Sequence, residues 1–279
     1  MSNLYAAVHY WLVDHPSISQ YEWKPGQTVG SSPLFLAGAV VGYLVLTLSL
    51  RNSRHLPTLP AAALAVAAAA HNVILCLLSL VMVIGCGLAT AHQMQENGGV
   101  TWLLCFPAGS TPPRGPIFFW GYVFYLSKLL EFADTALILL SRSRNRRLSF
   151  LHVYHHAVVL VMCYLWVATS QSMFPIGVVT NGSVHVVMYC YYLMTAVGLR
   201  PRWKRRLTDC QIGQFLFGKV ISPVMLYLHF TNGAGGCSGF WTWGFSSVFA
   251  VSLFALFLDF RFRAYPGGGA AKIAANKTI

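Results

Sequence analysis

Apolar residues run along this chain in stretches of about 20 residues, separated by short polar segments. A run of that length is what an α-helix needs to cross the hydrocarbon core of a bilayer. We count seven such stretches, at about 33–50, 60–88, 116–140, 150–169, 173–198, 208–230 and 238–260. The pattern therefore predicts an all-α integral membrane protein with seven transmembrane helices.

Little of the chain lies outside these stretches, so the sequence predicts one membrane domain at residues 33–263. An N-terminal segment (1–32) precedes this domain and a flexible tail (264–279) follows it. Composition supports the membrane class, because 9% of the residues are charged whereas soluble domains carry about 25%. The N-terminal segment lacks a basic region followed by an apolar core, so no cleavable signal peptide is expected.

Basic residues follow alternate stretches. Fifteen of the nineteen lysines and arginines come after the first, third, fifth and seventh: Arg51, Arg54, Arg142, Arg144, Arg146, Arg147, Arg200, Arg202, Lys204, Arg205, Arg206, Arg261, Arg263, Lys272 and Lys277. Because basic residues accumulate in cytoplasmic loops, we expect a lumenal or external N-terminus and a cytoplasmic C-terminus. The net charge of +12 thus reflects topology rather than nucleic-acid binding, although the same loops can attract a polyanion such as a CoA ester.

Two of the seven cysteines, Cys105 and Cys237, fall in the second and sixth loops. The charge pattern places both loops on the non-cytoplasmic side, and disulfides persist in an oxidising lumen. We therefore hypothesise a disulfide between these two residues. The other five cysteines lie within or beside the apolar stretches, where a free cysteine behaves as a small apolar residue.

Three histidines open the fourth stretch, in the sequence His152-Val153-Tyr154-His155-His156. In an α-helix their spacing of i, i+3 and i+4 places them on one face. Ionisable groups are costly at membrane depth, and imidazole can act as a base, a nucleophile or a metal ligand near neutral pH. The cluster therefore indicates an active site.

Three other stretches carry polar residues at helical spacing and at a similar depth. They are Lys128, Glu131, Asp134 and Thr135 in the third stretch, Asn181, His185 and Tyr189 in the fifth, and Gln211 and Gln214 in the sixth. Each set alone has a structural explanation, because intramembrane charges pair with one another and amides bond between helices. Together they predict a polar chamber that opens toward the cytoplasm. Asn72, beside His71 in the second stretch, is assigned to the same set.

Three kinds of chemistry can use such a chamber. A histidine-bound di-iron centre needs several histidine boxes, and one box with a distant His185 supplies too few ligands. A receptor or transporter can use buried charge as a binding pocket or switch, which topology alone does not exclude. In acyl transfer, an imidazole attacks a thioester and holds the acyl group while neighbouring imidazoles move protons.

Four motifs in order resemble those of the ELO-type very-long-chain fatty acid elongases, membrane condensing enzymes that act as 3-ketoacyl-CoA synthases. They are Lys128-Leu-Leu-Glu131-Phe-Ala-Asp134-Thr135, His152-Val-Tyr-His155-His156, Asn181-Gly-Ser-Val-His185-Val-Val-Met188-Tyr189-Cys-Tyr191-Tyr192, and Thr208-Asp-Cys-Gln211-Ile-Gly-Gln214-Phe215. The resemblance runs from about Leu34 to Arg263. One such motif is weak evidence, but four with matching order and spacing are highly specific.

The resemblance implies a protein of the endoplasmic reticulum membrane, with helices two to seven around a substrate tunnel and the first helix peripheral. It implies condensation of a long-chain acyl-CoA with malonyl-CoA, which releases CO2 and CoA. The later reductions and dehydration would fall to partner enzymes: a ketoreductase, a dehydratase and an enoyl reductase. No metal or redox cofactor is implied.

The resemblance also implies roles for particular residues. His155 is the expected nucleophile, which forms an acyl-imidazole, and His185 assists at the reacting carbon. His152 and His156 orient the site and share proton or oxyanion duties. The residues expected to position CoA or to support these histidines are Lys128, Glu131, Asp134, Asn181, Tyr189, Gln211 and Gln214.

Overall fold

A computed structural model describes residues 3–53, 56–143, 147–231 and 235–265. Its α-helices are α1 (Asn3–His9), α2 (Pro16–Ser19), α3 (Pro33–Arg51), α4 (Ala61–Glu96), α5 (Val100–Leu104), α6 (Pro116–Leu130), α7 (Phe132–Leu139), α8 (Phe150–Ala168), α9 (Phe174–Ala196), α10 (Lys204–Thr231) and α11 (Phe240–Ala264). A short π-helix, Tyr10–Asp14, follows α1. Strand-like pairing in the described ranges is limited to two isolated β-bridges. The all-α prediction is confirmed for this part of the chain.

Every predicted apolar stretch falls on helix: α3, α4, α6 with α7, α8, α9, α10 and α11. Within the described residues, four of these helices are long and apolar enough to cross a membrane: α3, α4, α8 and α11. The third stretch is divided into two helices, each too short to cross a bilayer alone.

The division of the third stretch corrects the prediction of one continuous helix over 116–140. α6 ends at Leu130, α7 begins at Phe132, and Glu131 lies between them. There the amide of Asp134 donates to the carbonyl of Glu131 at 3.0 Å, and a bond to the third preceding residue tightens the turn relative to an α-helix. The interruption therefore occurs within the polar motif itself.

The second predicted stretch ends at residue 88, whereas α4 continues to Glu96. Hydropathy predicts the part of a helix that lies in the hydrocarbon core of a bilayer. The helix itself can continue beyond that part through polar residues. The helix stops where Gly98 and Gly99 adopt φ values of 96° and 77°, a conformation that glycine adopts at little cost.

Local sequence sets the start of the helix that carries the three histidines. The Ser149 hydroxyl accepts a hydrogen bond from the backbone amide of His152 at 3.2 Å. Serine is a favoured residue at this position because it satisfies one of the free amides of the first turn. The cap fixes the register at which α8 begins, and with it the face on which the histidines lie.

Contacts between neighbouring helices close a ring in the order α4, α9, α10, α11, α8 and α6. Helix α3 lies outside this ring and packs against α8 and α7. Much of the apolar core lies between α4, α6, α8 and α9: Met82, Cys86, Phe118, Trp120, Phe124, Leu160, Val167, Phe174 and Val178. α4 and α6 approach closely at Gly85, where a Cβ atom would overlap the ring of Trp120.

One end of the ring, which we call the disulfide end, consists of residues 21–23, 105–115, 171–174 and 235–239. A disulfide joins Cys105 to Cys237 there, the pair hypothesised from the loop charges. Main-chain hydrogen bonds connect the same segments: Trp23 to Pro113 at 2.9 Å, Gly115 to Tyr21 at 2.8 Å, Ala108 to Gly236 at 3.1 Å, Ser172 to Ser238 at 3.1 Å and Ser238 to Phe106 at 2.7 Å. The opposite end, where α8 begins, is called the histidine end.

Replacing both Cys105 and Cys237 by serine is expected to lower the free energy of unfolding by about 2–4 kcal/mol, because the bond closes a long loop. The two cysteines are separated by 132 positions. Thermal unfolding of the purified protein in detergent measures the effect. Cys210→Ser, at an exposed free cysteine, is the control and should melt as wild type. A non-reducing peptide map that finds both thiols free would contradict the bond.

Candidate functional site

A buried ion pair lies where α6 meets α7. The side chains of Lys128 and Glu131 are 0% and 3% exposed, and Nζ of the lysine lies 2.7 Å from Oε1 of the glutamate. The same ammonium lies over the ring of Phe124, 4.1 Å from its centroid. Buried charges persist when they are paired and hydrogen-bonded, so these contacts hold the lysine head group in place.

His185 of α9 lies against this ion pair. Its Nδ1 is 3.4 Å from Nζ of Lys128 and 3.6 Å from Oε1 of Glu131. An ammonium only donates hydrogen bonds, so Nδ1 is the acceptor toward Lys128 and a neutral ring carries its proton on Nε2. The structure thus brings together three residues from the third and fifth predicted stretches.

Asp134 of α7 bonds to two other helices. Its Oδ2 accepts from the hydroxyl of Tyr189 on α9 at 3.0 Å, and its Oδ1 lies 3.1 Å from Nε2 of His71 on α4. The sequence predicts Asn72 as a site residue and His71 only as its neighbour. The feature that indicates a buried partner for His71 is its position as an ionisable residue within an apolar stretch, where such residues need a partner.

His152 is linked to α7 and α3 through hydroxyl groups. Its Nε2 lies 2.8 Å from Oγ1 of Thr135, which in turn lies 3.1 Å from the hydroxyl of Tyr43. The sequence does not predict Tyr43 as a site residue, because a single tyrosine in an apolar helix resembles an ordinary packing residue.

The other two histidines of α8 pack around the first. The ring of His156 is centred 4.3 Å from that of His152 and 5.3 Å from that of His155. His155 also lies alongside the ring of Phe249 on α11, with centroids 6.5 Å apart. Nδ1 of His156 is buried without a hydrogen-bond partner in the described part of the chain. Such unsatisfied buried atoms are rare in native proteins, and each calls for an explanation.

The remaining predicted polar residues connect α9 to α10. The amide of Asn181 donates to Oε1 of Gln214 at 3.3 Å, and Nε2 of Gln211 lies 3.5 Å from Sδ of Met188. These side chains therefore bond to one another or to a thioether rather than to the histidines. Interhelical bonding, the ordinary function of amides in a membrane, accounts for these contacts.

The cluster combines several groups suited to acyl chemistry. Imidazoles from α8 and α9 can act as nucleophile and as acid or base. The fixed ammonium of Lys128 lies 3.4 Å from Nδ1 of His185, and such a charge can stabilise negative charge in a transition state. Across the described ranges, no group of three His, Cys, Asp or Glu side chains is placed to hold a metal ion.

Comparison with known proteins identifies the chain's relatives. Residues 28–273 match the GNS1/SUR4 family. Fatty acid elongase A of Dictyostelium discoideum is 34% identical over 270 residues, which cover 93% of each chain. Fatty acid elongase 3-like of Arabidopsis thaliana is 29% identical over 278 residues, 93% of this chain and 92% of its own. With the helices, the histidine cluster and these matches in agreement, the chain belongs to the GNS1/SUR4 family.

Proposed function

We propose that this protein is the condensing enzyme of fatty acid elongation, an acyltransferase that joins a long-chain acyl-CoA to malonyl-CoA and yields 3-ketoacyl-CoA, CO2 and CoA. One observation carries the proposal: the histidines of α8 contact α7 through Thr135 and Phe132, next to the buried Lys128–Glu131 pair that adjoins His185. The names of the relatives, fatty acid elongases, support the same conclusion.

The proposed reaction has two stages. In the first, an imidazole nitrogen of His155 attacks the acyl-CoA carbonyl, the carbon–sulfur bond breaks, and CoA leaves as a thiolate. In the second, malonyl-CoA loses CO2, and the resulting enolate carbon attacks the acyl carbonyl and displaces the imidazole. Each turnover consumes one proton, which is transferred to the thiolate. Splitting one difficult step into two easier ones is the advantage of covalent catalysis.

Other residues of the cluster have supporting roles in this proposal. His185 assists at the reacting carbon. Lys128 places its positive charge beside this histidine, with Nζ 3.4 Å from Nδ1. His152 and His156 orient the nucleophile and share proton or oxyanion duties. Glu131, Asp134 and Tyr189 hold the charged and histidine side chains through their hydrogen bonds. Asn181, Gln211 and Gln214, which bond between helices, position CoA in this proposal. No metal or redox cofactor takes part in the proposed reaction.

The proposal extends to the membrane arrangement. All seven apolar stretches cross the membrane, and the ring of six helices surrounds a tunnel for the acyl chain, with α3 outside it. The N-terminus is lumenal, the C-terminus is cytoplasmic, and the membrane is that of the endoplasmic reticulum. The product passes to a ketoreductase, a dehydratase and an enoyl reductase. The alternating basic loops support this orientation.

The test of function uses membranes that contain the full-length protein, labelled malonyl-CoA and a series of unlabelled acyl-CoA esters. We expect malonyl carbon to appear in a product two carbons longer than the acyl substrate. If no acyl-CoA supports incorporation, the elongase proposal fails. Stoichiometric iron with oxygen-dependent turnover would instead indicate an oxidative enzyme, and saturable ligand binding without turnover would indicate a receptor or transporter.

A further inference from the structure

Helix α3 has a sharply divided surface. Its buried residues are Tyr43 and Thr47, one helical turn apart. Large apolar side chains elsewhere on the helix are exposed at the protein surface, among them Leu34, Val41, Val45, Leu46 and Leu48. The helix that lies outside the ring therefore directs one polar stripe toward α7 and α8.

The stripe reaches the histidines through a chain of two hydroxyl groups. The hydroxyl of Tyr43 lies 3.1 Å from Oγ1 of Thr135, which lies 2.8 Å from Nε2 of His152. Thr135 has one hydroxyl proton to donate. A phenol is the better donor and an imidazole nitrogen the better acceptor, so we assign the bonds as running from Tyr43 to Thr135 and from Thr135 to His152. This direction makes Nε2 of His152 an acceptor and places the proton of the neutral ring on Nδ1.

The ring of Tyr43 is fixed independently of its hydroxyl. It stacks on Phe132 with centroids 4.2 Å apart, and its centroid is 6.3 Å from that of His156. Tyr43 is only 6% exposed. The aromatic stack positions the phenol, so removal of the hydroxyl alone breaks the chain without removing the packing.

We propose that Tyr43 is a positioning residue of the condensation site, which fixes the orientation and tautomer of His152 through Thr135. The inference rests on the proposed function and assigns to α3, otherwise outside the ring, a role in catalysis. Tyr43 does not contact the reacting atoms. It holds His152 in place, and His152 packs on His156 with ring centroids 4.3 Å apart.

The kinetic test compares Tyr43→Phe with Thr135→Val, Thr135→Ser and the double variant Tyr43→Phe/Thr135→Val. We expect kcat to fall about tenfold to a hundredfold in Tyr43→Phe, the loss typical when a hydrogen-bond partner that orients a metal-bound histidine is removed. KM for both CoA esters should stay within about twofold of wild type. Thr135→Ser, which keeps the hydroxyl, should retain most of the activity. The double variant should be no slower than Thr135→Val, because both changes break the same chain. Leu46→Ala, on the exposed face of α3, should have wild-type kinetics.

A second readout does not depend on turnover. Nitrogen NMR of histidine-labelled protein, with His152 assigned by its loss in His152→Gln, should show the Nδ1–H tautomer in wild type and a mixture in Tyr43→Phe. Wild-type kcat in Tyr43→Phe, multiplicative effects in the double variant, or an unchanged tautomer would each overturn the proposal. Failure of wild type to incorporate malonyl carbon would instead overturn the proposed function, while the tautomer measurement still tests the role of Tyr43.

Discussion

Replacing His155 by glutamine is expected to reduce elongation by more than about a thousandfold, because loss of a covalent nucleophile removes the intermediate itself. Glutamine approximates the size and polarity of histidine but cannot form a reactive acyl-imidazole. His155 contacts the rings of His156 and Phe249, so a side chain of similar size keeps the packing. Turnover is measured per molecule of protein extracted from the membrane.

A labelling experiment identifies the nucleophile directly. Labelled acyl-CoA, given without malonyl-CoA, should attach its acyl group to the peptide that contains Phe150–Ala168 in wild type and should not do so in His155→Gln. His92→Gln, at a partly exposed histidine paired with Glu96, is the matched control and should label as wild type. Label on the peptide that contains His185 would assign the attack to α9, and undiminished turnover of His155→Gln would contradict the covalent role.

Replacing Lys128 by methionine is expected to destabilise the fold by about 3–5 kcal/mol, because it leaves the Glu131 carboxylate buried without its partner. Lys128 is fully buried and Glu131 is 3% exposed on its side chain, so water cannot replace the lost contact. The double variant Lys128→Met/Glu131→Gln removes both charges and should recover most of the stability. It should remain inactive, since the cation beside His185 is absent.

The thermal midpoint and the yield of monodisperse protein in detergent measure this effect. Lys24→Met is the matched control, since Lys24 and Glu22 form an ion pair at 3.2 Å whose side chains are more than half exposed. Exposed pairs contribute about 0–1 kcal/mol, so this variant should melt near wild type. A stable Lys128→Met protein, or a double variant that folds no better than the single one, would show that the buried pair does not hold the site.

The sequence was sufficient for contacts that lie within one helix or follow directly from spacing. The separation of Lys128 and Glu131 predicts their contact, and the shared face of His152, His155 and His156 follows from helical periodicity. Periodicity states which face a residue occupies but not which helix lies opposite. The bonds from Asp134 to His71 and from Thr135 to Tyr43 depend on helix packing.

The same limit explains the errors in helix bounds. Hydropathy predicts a continuous third helix and an early end to the second. It depends on how apolar the side chains are and carries no information on where the backbone hydrogen bonding changes. The interruption at Glu131 and the extension of α4 to Glu96 are settled by local backbone bonds and by glycine conformations. The loop charges did carry information across the fold, since they placed Cys105 and Cys237 on the same side.

The bonds at the disulfide end have a mechanical consequence for substrate exchange. Helices joined there by a covalent bond and several main-chain bonds can separate there only when those bonds break. In the proposed reaction, an opening that admits the acyl-CoA or releases the longer product is therefore expected at the histidine end. The helices are thus held together by these bonds at the disulfide end, and the same bonds do not constrain the histidine end, where α8 begins.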